Sequence, residues 1–362
     1  MRSAATTTLN GRLHFLDALR GLAAVSVMVF HFFAVGVSPV HEQLAAQLPG
    51  WIGWVVGHLY CGVEVFFVLS GFVIAFSMDG YRADWRYAGN FILRRSLRLD
   101  PPYWVAAFLT VGYFFWLGPW RDYYLMYGGL KGILSNLFYL QNLPFVYPAH
   151  GILDVAWTLC LEVQFYLSYL LLLVVAYYSA RSWVAALGVA MVSGWSLWHW
   201  FYHSSPDFGG RAWTFFLGVA IYWALRRRVP TGWVAAGIVA LAAVVIGKGH
   251  LDGVVSVATA GAIFAIGIAG RLSTMLAYRP LLHLGKISYS IYLLHMLIGL
   301  NLLDRLKSAE AGSAVVLWLS VTAAIILSLA GAEVLHRLVE APSNRLSQRF
   351  KRRQPALATE SG

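Results

Sequence analysis

The chain has 362 residues, of which 59% are hydrophobic and 12% are charged, and its mean hydropathy is +0.65. Soluble domains carry about 25% charged residues, so this composition excludes a disordered chain, a coiled coil and an ordinary soluble enzyme. Ten membrane spans of roughly 20 apolar residues would use about 200 positions and leave short loops. We therefore predict an all-α, polytopic integral membrane protein with no second globular domain.

Ten apolar segments follow one another along the chain, and each is a predicted transmembrane helix. They lie near 13–35, 57–78, 101–119, 155–178, 183–201, 212–225, 231–247, 253–270, 283–303 and 313–336. The connection 120–154 is rich in aromatic residues and is predicted to be an ordered loop with an interfacial helix. We divide the chain into an N-terminal segment, 1–12, a membrane domain, 13–340, and a basic tail, 341–362, which we expect to be disordered.

The Lys and Arg residues are distributed unevenly between the two sides of the predicted membrane domain. With the N-terminus inside, 20 of the 27 Lys and Arg residues fall in inner segments and six in outer ones. Cytoplasmic loops carry such an excess of positive charge, so both termini are predicted to be cytoplasmic. The same rule explains most of the net charge of +11 without a nucleic-acid partner.

Four ionisable side chains fall in the outer halves of four predicted spans: His31, Glu64, Glu162 and His295. Ionisable groups at membrane depth are costly unless they pair with one another or line a wet cavity. We therefore expect one cavity to hold all four.

On the inner side, Arg94, Arg95 and Arg98 come just before Pro101 and the third span. Arginine binds phosphate through two parallel hydrogen bonds, so this cluster indicates a phosphate site. Anchoring of the span at the inner membrane surface is the alternative.

Arg20 and His31 lie eleven residues apart in the first span. Eleven helical steps are close to three full turns, so both side chains point the same way, about 16 Å apart along the axis. A phosphate-rich cytoplasmic cofactor bound to the arginines would thus extend its long arm toward the imidazole. The imidazole would act as a general base or carry an acyl group transiently.

Five segments carry a resemblance to a known family. They are LDALRG at 16–21 with His31, FFVLSGF at 66–72, RSLR at 95–98 with PYW at 102–104, WTLCLEVQFY at 157–166 and LGKISYSIYLLH at 284–295. In this order they resemble the signatures of the membrane-bound acyltransferase family 3, including its Arg-x10-His motif. The resemblance covers about 13–340. Glu64 stands where the family more often has Asp, and Thr158 where Ser is usual.

The family resemblance and the residue spacing together indicate three groups of candidate site residues. The catalytic candidates are His31, Glu162 and Glu64. The candidates for binding the acyl donor are Arg20, Arg95, Arg98 and Asp17. The candidates for the substrate cavity are Ser70, Trp157, Ser288, Tyr292 and His295. A structural role is the alternative for each: an internal Asp17–Arg20 pair, buried carboxylates for Glu162 and Glu64, and a polar packing seam for Ser288, Tyr292 and His295.

The family implies an enzyme of the bacterial inner membrane that transfers an acyl group, most simply acetyl, from cytoplasmic acyl-CoA to a hydroxyl of a surface or lipid-linked carbohydrate. Acyl-CoA is a substrate here, and we expect neither a permanently bound cofactor nor a metal, because no residues have ligand spacing. A transporter or flippase for a polar or anionic solute is the alternative, since buried charges also mark transport pathways.

The sequence also bears on a further domain, the two cysteines and the oligomeric state. No hydrolase-like domain follows the last span, so we expect this module to transfer the acyl group itself or pass it to another protein. Cys61 and Cys160 are expected to be buried, small apolar groups, with a disulfide left open. The sequence does not decide between a monomer and a homo-oligomer.

Overall fold

The computed structural model describes residues 11–35, 39–117, 128–143, 151–203, 207–305 and 313–350, and these form helices with no strand among them. The helices α1 to α15 are His14–Ala34, Pro39–Ala46, Gly50–Gly57, Gly62–Met78, Trp85–Leu117, Gly129–Leu137, Trp157–Tyr178, Trp183–His203, Phe208–Leu225, Thr231–Gly247, Leu251–Ile268, Arg279–His295, Asn301–Asp304, Ala314–Leu335 and Ala341–Arg349. Two π-helical turns, Met296–Leu300 and His336–Glu340, join α12 to α13 and α14 to α15.

The all-α membrane fold is confirmed. Each of the ten predicted spans falls on a helix, and seven helical stretches among the described residues are long and apolar enough to cross a membrane. The helix Thr231–Gly247 is apolar but shorter than these seven. The count of ten spans and the cytoplasmic placement of both termini stay predictions.

The third span differs from its prediction. A start at Pro101 was expected, because proline favours the first turn of a helix. Instead α5 runs without interruption from Trp85 to Leu117 with Pro101 and Pro102 inside it. Prolines are tolerated within membrane helices, and this helix continues through both of them. The arginine cluster is therefore part of the helix rather than its approach.

The prediction of disorder was wrong for the first part of the C-terminal tail. Residues Ala341–Arg349 form α15, which packs on α5. Ser343 and Ser347 are buried, and Ser347 Oγ donates to the carbonyl of Arg94 at 2.8 Å. Small residues allow two helices to approach closely, so the polar composition conceals a packing face. Residues 351–362 and 1–10 lie outside the described residues.

The connection after α5 contains the predicted helix, which is α6. Residues 118–127 and 144–150 of this connection lie outside the described residues. Asn136 is fully buried at the end of α6, where its side chain accepts a hydrogen bond from Ile152 N at 2.8 Å. Tyr103 Oη also donates to the carbonyl of Asn136 at 2.8 Å. These bonds fasten the connection to α5 and to the approach to α7.

Two glycines bring α1 and α12 into close contact. A Cβ on Gly21 would lie 2.7 Å from Gly285 N, and one on Gly285 would lie 2.0 Å from the carbonyl oxygen of Asp17. Ten residues further along each helix, His31 meets His295, with 3.3 Å between nitrogen atoms. Because the two contacts are ten residues apart on each helix, α1 and α12 run parallel over about 15 Å.

A second glycine contact joins α4 to α9. A Cβ on Gly71 would lie 1.8 Å from the carbonyl oxygen of Phe215, and one on Gly218 would lie 2.1 Å from that of Val68. Phe165 of α7 stacks on Phe215 in the adjoining apolar core, with the ring centroids 4.6 Å apart. Helices α4, α7 and α9 therefore form a rigid wall beside the α1–α12 pair.

We expect Gly285→Ala to destabilise the protein by about 1–3 kcal/mol, because the new methyl group would force the α1 backbone away. Thermal unfolding in detergent measures this effect. Gly237→Ala is the matched control, since a Cβ there meets nothing within 4 Å and should stabilise α10 by about 0.5–1 kcal/mol. An equal or higher unfolding temperature for Gly285→Ala would contradict the close-contact interpretation.

Candidate active site

A narrow pocket lies between α1, α4, α5, α7 and α12, and we call it the central pocket. Its volume is about 70 Å³, which holds a few water molecules. Arg20, Arg95 and Arg98 line one part of it, and Arg95 is 92% buried, with its guanidinium carbon 5.6 Å from the ring centre of Phe91. Within the described residues, none of these three arginines forms an ion pair. The pocket therefore offers three cations to an anionic ligand.

The remaining polar wall of the central pocket comes from α4, α7 and α12. Ser70, Glu162, Ser288 and Tyr292 all line it. Thr158 Oγ1 lies 2.9 Å from Tyr292 Oη. Glu162 is the single carboxylate of this lining, so the charged lining remains positive overall.

A wider pocket adjoins the central pocket, and we call it the arginine pocket. Its volume is about 660 Å³, within the range of small-molecule binding sites. It shares Arg95, Arg98 and Val73 with the central pocket and adds Arg94 and Arg226. The wide pocket thus leads to the narrow one through the two arginines of the RSLR segment.

Asp79 organises the far wall of the arginine pocket. It accepts hydrogen bonds from Tyr222 Oη at 2.6 Å, from Arg226 Nε at 3.1 Å and from Arg228. One carboxylate shared by two arginines leaves this wall with net positive charge. The sequence had identified the cluster 94–98 but not this second basic group, because the two are far apart in the chain.

His31 and His295 face one another across the α1–α12 contact. His31 Nδ1 lies 2.8 Å from the carbonyl oxygen of Val27, and His295 Nδ1 lies 3.0 Å from that of Ile291. His295 Nε2 lies 3.3 Å from His31 Nδ1. The pair adjoins the central pocket through Tyr292, whose ring centre is 6.0 Å from that of His295.

Glu64 belongs to a different set of contacts. Its Oε1 accepts a hydrogen bond from Arg211 Nη1 at 2.6 Å, and its Oε2 accepts one from Ser256 Oγ at 3.0 Å. The same Arg211 nitrogen lies 2.7 Å from Asp252 Oδ2. Both oxygens of the buried Glu64 are thus engaged in joining α4, α9 and α11, which favours its structural alternative. The predicted cavity with all four ionisable groups is corrected: they divide among three sets of contacts, and Glu162 alone of the four lines the central pocket.

Two other nominated residues lie outside the central pocket's lining. Asp17 pairs with Arg12 at 2.6 Å rather than with Arg20, because Arg12 reaches it from the residues preceding α1. Trp157 packs against Phe67, with ring centres 6.2 Å apart, and its carbonyl accepts a hydrogen bond from Asn142. The neighbouring Thr158 contributes the pocket surface instead.

The structure adds site features that the sequence had not singled out. Tyr289 also lines the central pocket, although it follows Ser288 directly and so lies about 100° away from it around the helix. Both cysteines are free and buried, which confirms their interpretation as small apolar groups. Among the described residues, no cluster of three or more His, Cys, Asp or Glu side chains could hold a metal ion.

The chain belongs to the acyltransferase family 3: the profile of this family, described as an acyltransferase domain, matches residues 13–337. This match spans nearly the whole membrane domain and confirms the resemblance drawn from the five motifs. The protein is therefore a membrane acyltransferase. No solved structure gives a significant match.

Three curated relatives are similar to this chain, and two of them are named for acyl transfer. Nodulation protein 10 of Rhizobium leguminosarum bv. viciae is 28% identical over 80% of this chain and 83% of its own length. A Komagataeibacter xylinus protein provisionally named membrane-bound transacylase BcsY is 26% identical over 77% of this chain and 71% of its own length. A Bacillus subtilis protein provisionally named peptidoglycan O-acetyltransferase YrhL is 29% identical over 46% of this chain and 24% of its own length.

We expect Arg211→Met to lower the free energy of unfolding by about 3–5 kcal/mol, because it leaves two carboxylates facing each other without a cation. Denaturation in detergent measures the change. Arg12→Met is the matched control: it also removes an arginine from an ion pair, but Arg12 is 56% exposed and should contribute less than about 1 kcal/mol. Equal effects of the two variants would contradict a structural role for the Glu64 contacts.

Proposed function

We propose that the protein is an O-acyltransferase of the bacterial inner membrane that moves an acyl group, most simply acetyl, from cytoplasmic acyl-CoA to a carbohydrate hydroxyl. One observation carries this proposal: a wide basic pocket adjoins a narrow pocket whose arginines form no ion pair within 4 Å among the described residues, and the His31–His295 pair lies next to the narrow pocket.

The shape and charge of the two pockets support a donor of this kind. Coenzyme A has a bulky phosphorylated nucleotide at one end and a thin arm that ends in the thioester. The arginine pocket, at about 660 Å³, suits the nucleotide and its phosphates, because arginine pairs with phosphate in bidentate geometry. The narrow central pocket suits the acyl end of the arm, with Arg95 and Arg98 at the junction.

The chemistry assigned to His31 is proton transfer. Its Nε2 accepts the proton of the acceptor hydroxyl while that oxygen attacks the thioester carbonyl carbon. The carbon–sulfur bond then breaks, and the leaving thiolate takes up a proton to give free CoA. A general base in this position contributes roughly 10²–10⁴-fold to the rate. Glu162, which lines the central pocket, is available to orient the acceptor or the donor arm.

The carbohydrate acceptor rests on the relatives and on the family. The B. subtilis relative is named for O-acetyl transfer to peptidoglycan, and the K. xylinus relative for membrane-bound transacylation. A hydroxyl on a surface glycan or on its lipid-linked precursor is the corresponding acceptor class for this chain.

We expect His31→Ala to abolish transfer of label from radiolabelled acetyl-CoA to the glycan or lipid-linked fraction of washed membranes, because no base remains beside the thioester. The loss should be at least about 100-fold. His58→Ala is a matched control. His58 follows α3 directly, and its Nδ1 likewise lies 2.6 Å from the carbonyl oxygen four residues earlier, that of Trp54. Full transfer by His31→Ala at equal protein level would rule out the assigned role.

We expect the double variant Arg95→Ala with Arg98→Ala to raise the Michaelis constant for acetyl-CoA by about 10-fold or more, because each hydrogen bond to a charged group contributes roughly 1.5–3 kcal/mol. Initial rates against donor concentration measure it. Arg82→Ala with Arg86→Ala removes the same charge from exposed positions near the start of the same helix. An equal Michaelis constant for both double variants would return Arg95 and Arg98 to a membrane-anchoring role.

A further inference from the structure

We propose that His295 is a positioning residue: it holds His31 in the tautomer with the proton on Nδ1 and thereby leaves Nε2 of His31 as the free proton acceptor. This inference deepens the proposed function and rests on it for the catalytic consequence. The tautomer itself is a property of the resting protein, so it is testable without any acyl transfer.

The hydrogen-bond acceptors around His31 decide where its proton sits. Its Nδ1 lies 2.8 Å from the carbonyl oxygen of Val27. A carbonyl oxygen only accepts hydrogen bonds, so Nδ1 has to donate. In a neutral imidazole the other nitrogen, Nε2, is then an unprotonated acceptor. A base that must take a proton from a hydroxyl needs this lone pair.

A backbone carbonyl also fixes the tautomer of His295. Its Nδ1 lies 3.0 Å from the carbonyl oxygen of Ile291 and therefore donates. Its Nε2 lies 3.3 Å from His31 Nδ1. A proton on this Nε2 would point at the N–H of His31, so the arrangement requires a bare Nε2 that accepts. His31 Nδ1–H is thus shared between Val27 and His295, and both acceptors favour the same tautomer.

Burial makes His295 a rigid partner. The side chain is 0% exposed and is enclosed by the rings of Phe32 and Tyr292, with centroids 6.5 and 6.0 Å away. His31, in contrast, is partly exposed. The buried imidazole therefore holds its orientation, while His31 retains access to a reacting group.

The chain after His295 is shaped to seat this ring. It continues as the π-helical turn Met296–Leu300. Asn301 Nδ2 donates to the carbonyl oxygens of Met296 and Leu297 at 3.3 and 3.0 Å, which satisfies backbone groups of the widened turn. Gly299 leaves space for Phe32, because a Cβ there would lie 2.1 Å from the Phe32 ring. Widened turns of this kind often occur at functional sites.

Three substitutions of His295 separate positioning from packing. His295→Gln keeps an acceptor oxygen near the place of Nε2, so it should retain turnover within about 5-fold of wild type. His295→Asn fills only the place of Nδ1 and cannot reach His31. His295→Leu removes all polar atoms. For these two variants we expect kcat to fall roughly 10- to 100-fold, with the Michaelis constant for acetyl-CoA unchanged.

The second readout is the nitrogen-15 spectrum of histidine-labelled protein in detergent at neutral pH. The His31 signals are assigned by subtracting the spectrum of His31→Ala. In wild type and His295→Gln we expect a protonated Nδ1 and an unprotonated Nε2. In His295→Asn and His295→Leu we expect a mixture of both tautomers, because one of the two acceptors that favour Nδ1–H is gone.

Each outcome decides the proposal. A wild-type His31 with its proton on Nε2, or with both nitrogens protonated, overturns it, even if the variants fail to fold. Equal turnover losses for His295→Gln and His295→Leu overturn the positioning role and indicate packing alone. The predicted tautomers without acetyl transfer in any variant would leave the positioning inference standing and refute the proposed acyl-CoA activity instead.

Discussion

The close contact between α1 and α12 is the constraint on which the rest of the site depends. Because Gly21 and Gly285 have no side chains, the two backbones approach within the distance that a single Cβ would occupy. Two parallel helices in such close contact keep the same register along their length, so the contact at one level fixes which residues meet about 15 Å further on. Those residues are His31 and His295. The same helices carry Arg20 and Ser288 on the walls of the central pocket, so this contact also sets the distance between the basic end of the path and its imidazoles.

Charge is distributed along this path in an ordered way. At the wide end, the arginines of α5 and Arg226, which follows α9, outnumber the one carboxylate that lines the arginine pocket, Asp79. At the other end, each of the two imidazoles donates from Nδ1 to a backbone carbonyl, and His295 Nε2 lies 3.3 Å from His31 Nδ1. Cations that lack partners attract a polyanion, whereas a neutral imidazole with a free lone pair is suited to accept a proton. In the proposed function, this division separates donor binding from proton transfer, with the narrow central pocket between them.

Much of the fold was predictable from the sequence, because apolar runs of about 20 residues report directly on membrane helices. The site was predictable where periodicity within one helix or one signature carried it: Arg20, Ser70, Ser288 and Tyr292 do line one pocket. Which residues pair with each other through ion pairs and hydrogen bonds was not predictable. Glu64 is joined to Arg211, 147 positions away, and the Asp17 carboxylate to Arg12. Such pairings depend on which helices become neighbours. The prediction of a disordered tail failed at 341–349 for a related reason. The serines of this segment are polar by composition but pack as small residues.

The two buried ionisable sets follow different physical rules. Arg211 lies between two carboxylates and joins three helices, an arrangement in which every charge has a partner. Around the central pocket, Arg20, Arg95 and Arg98 remain without such partners among the described residues, and Arg95 is almost fully buried. Burying a cation without a counter-ion is costly, and a fold that needed only stability would gain by pairing or removing it. A charged ligand that enters the pocket would remove this cost. We propose that these cations, rather than the ones in ion pairs, mark the place where the protein receives its substrate.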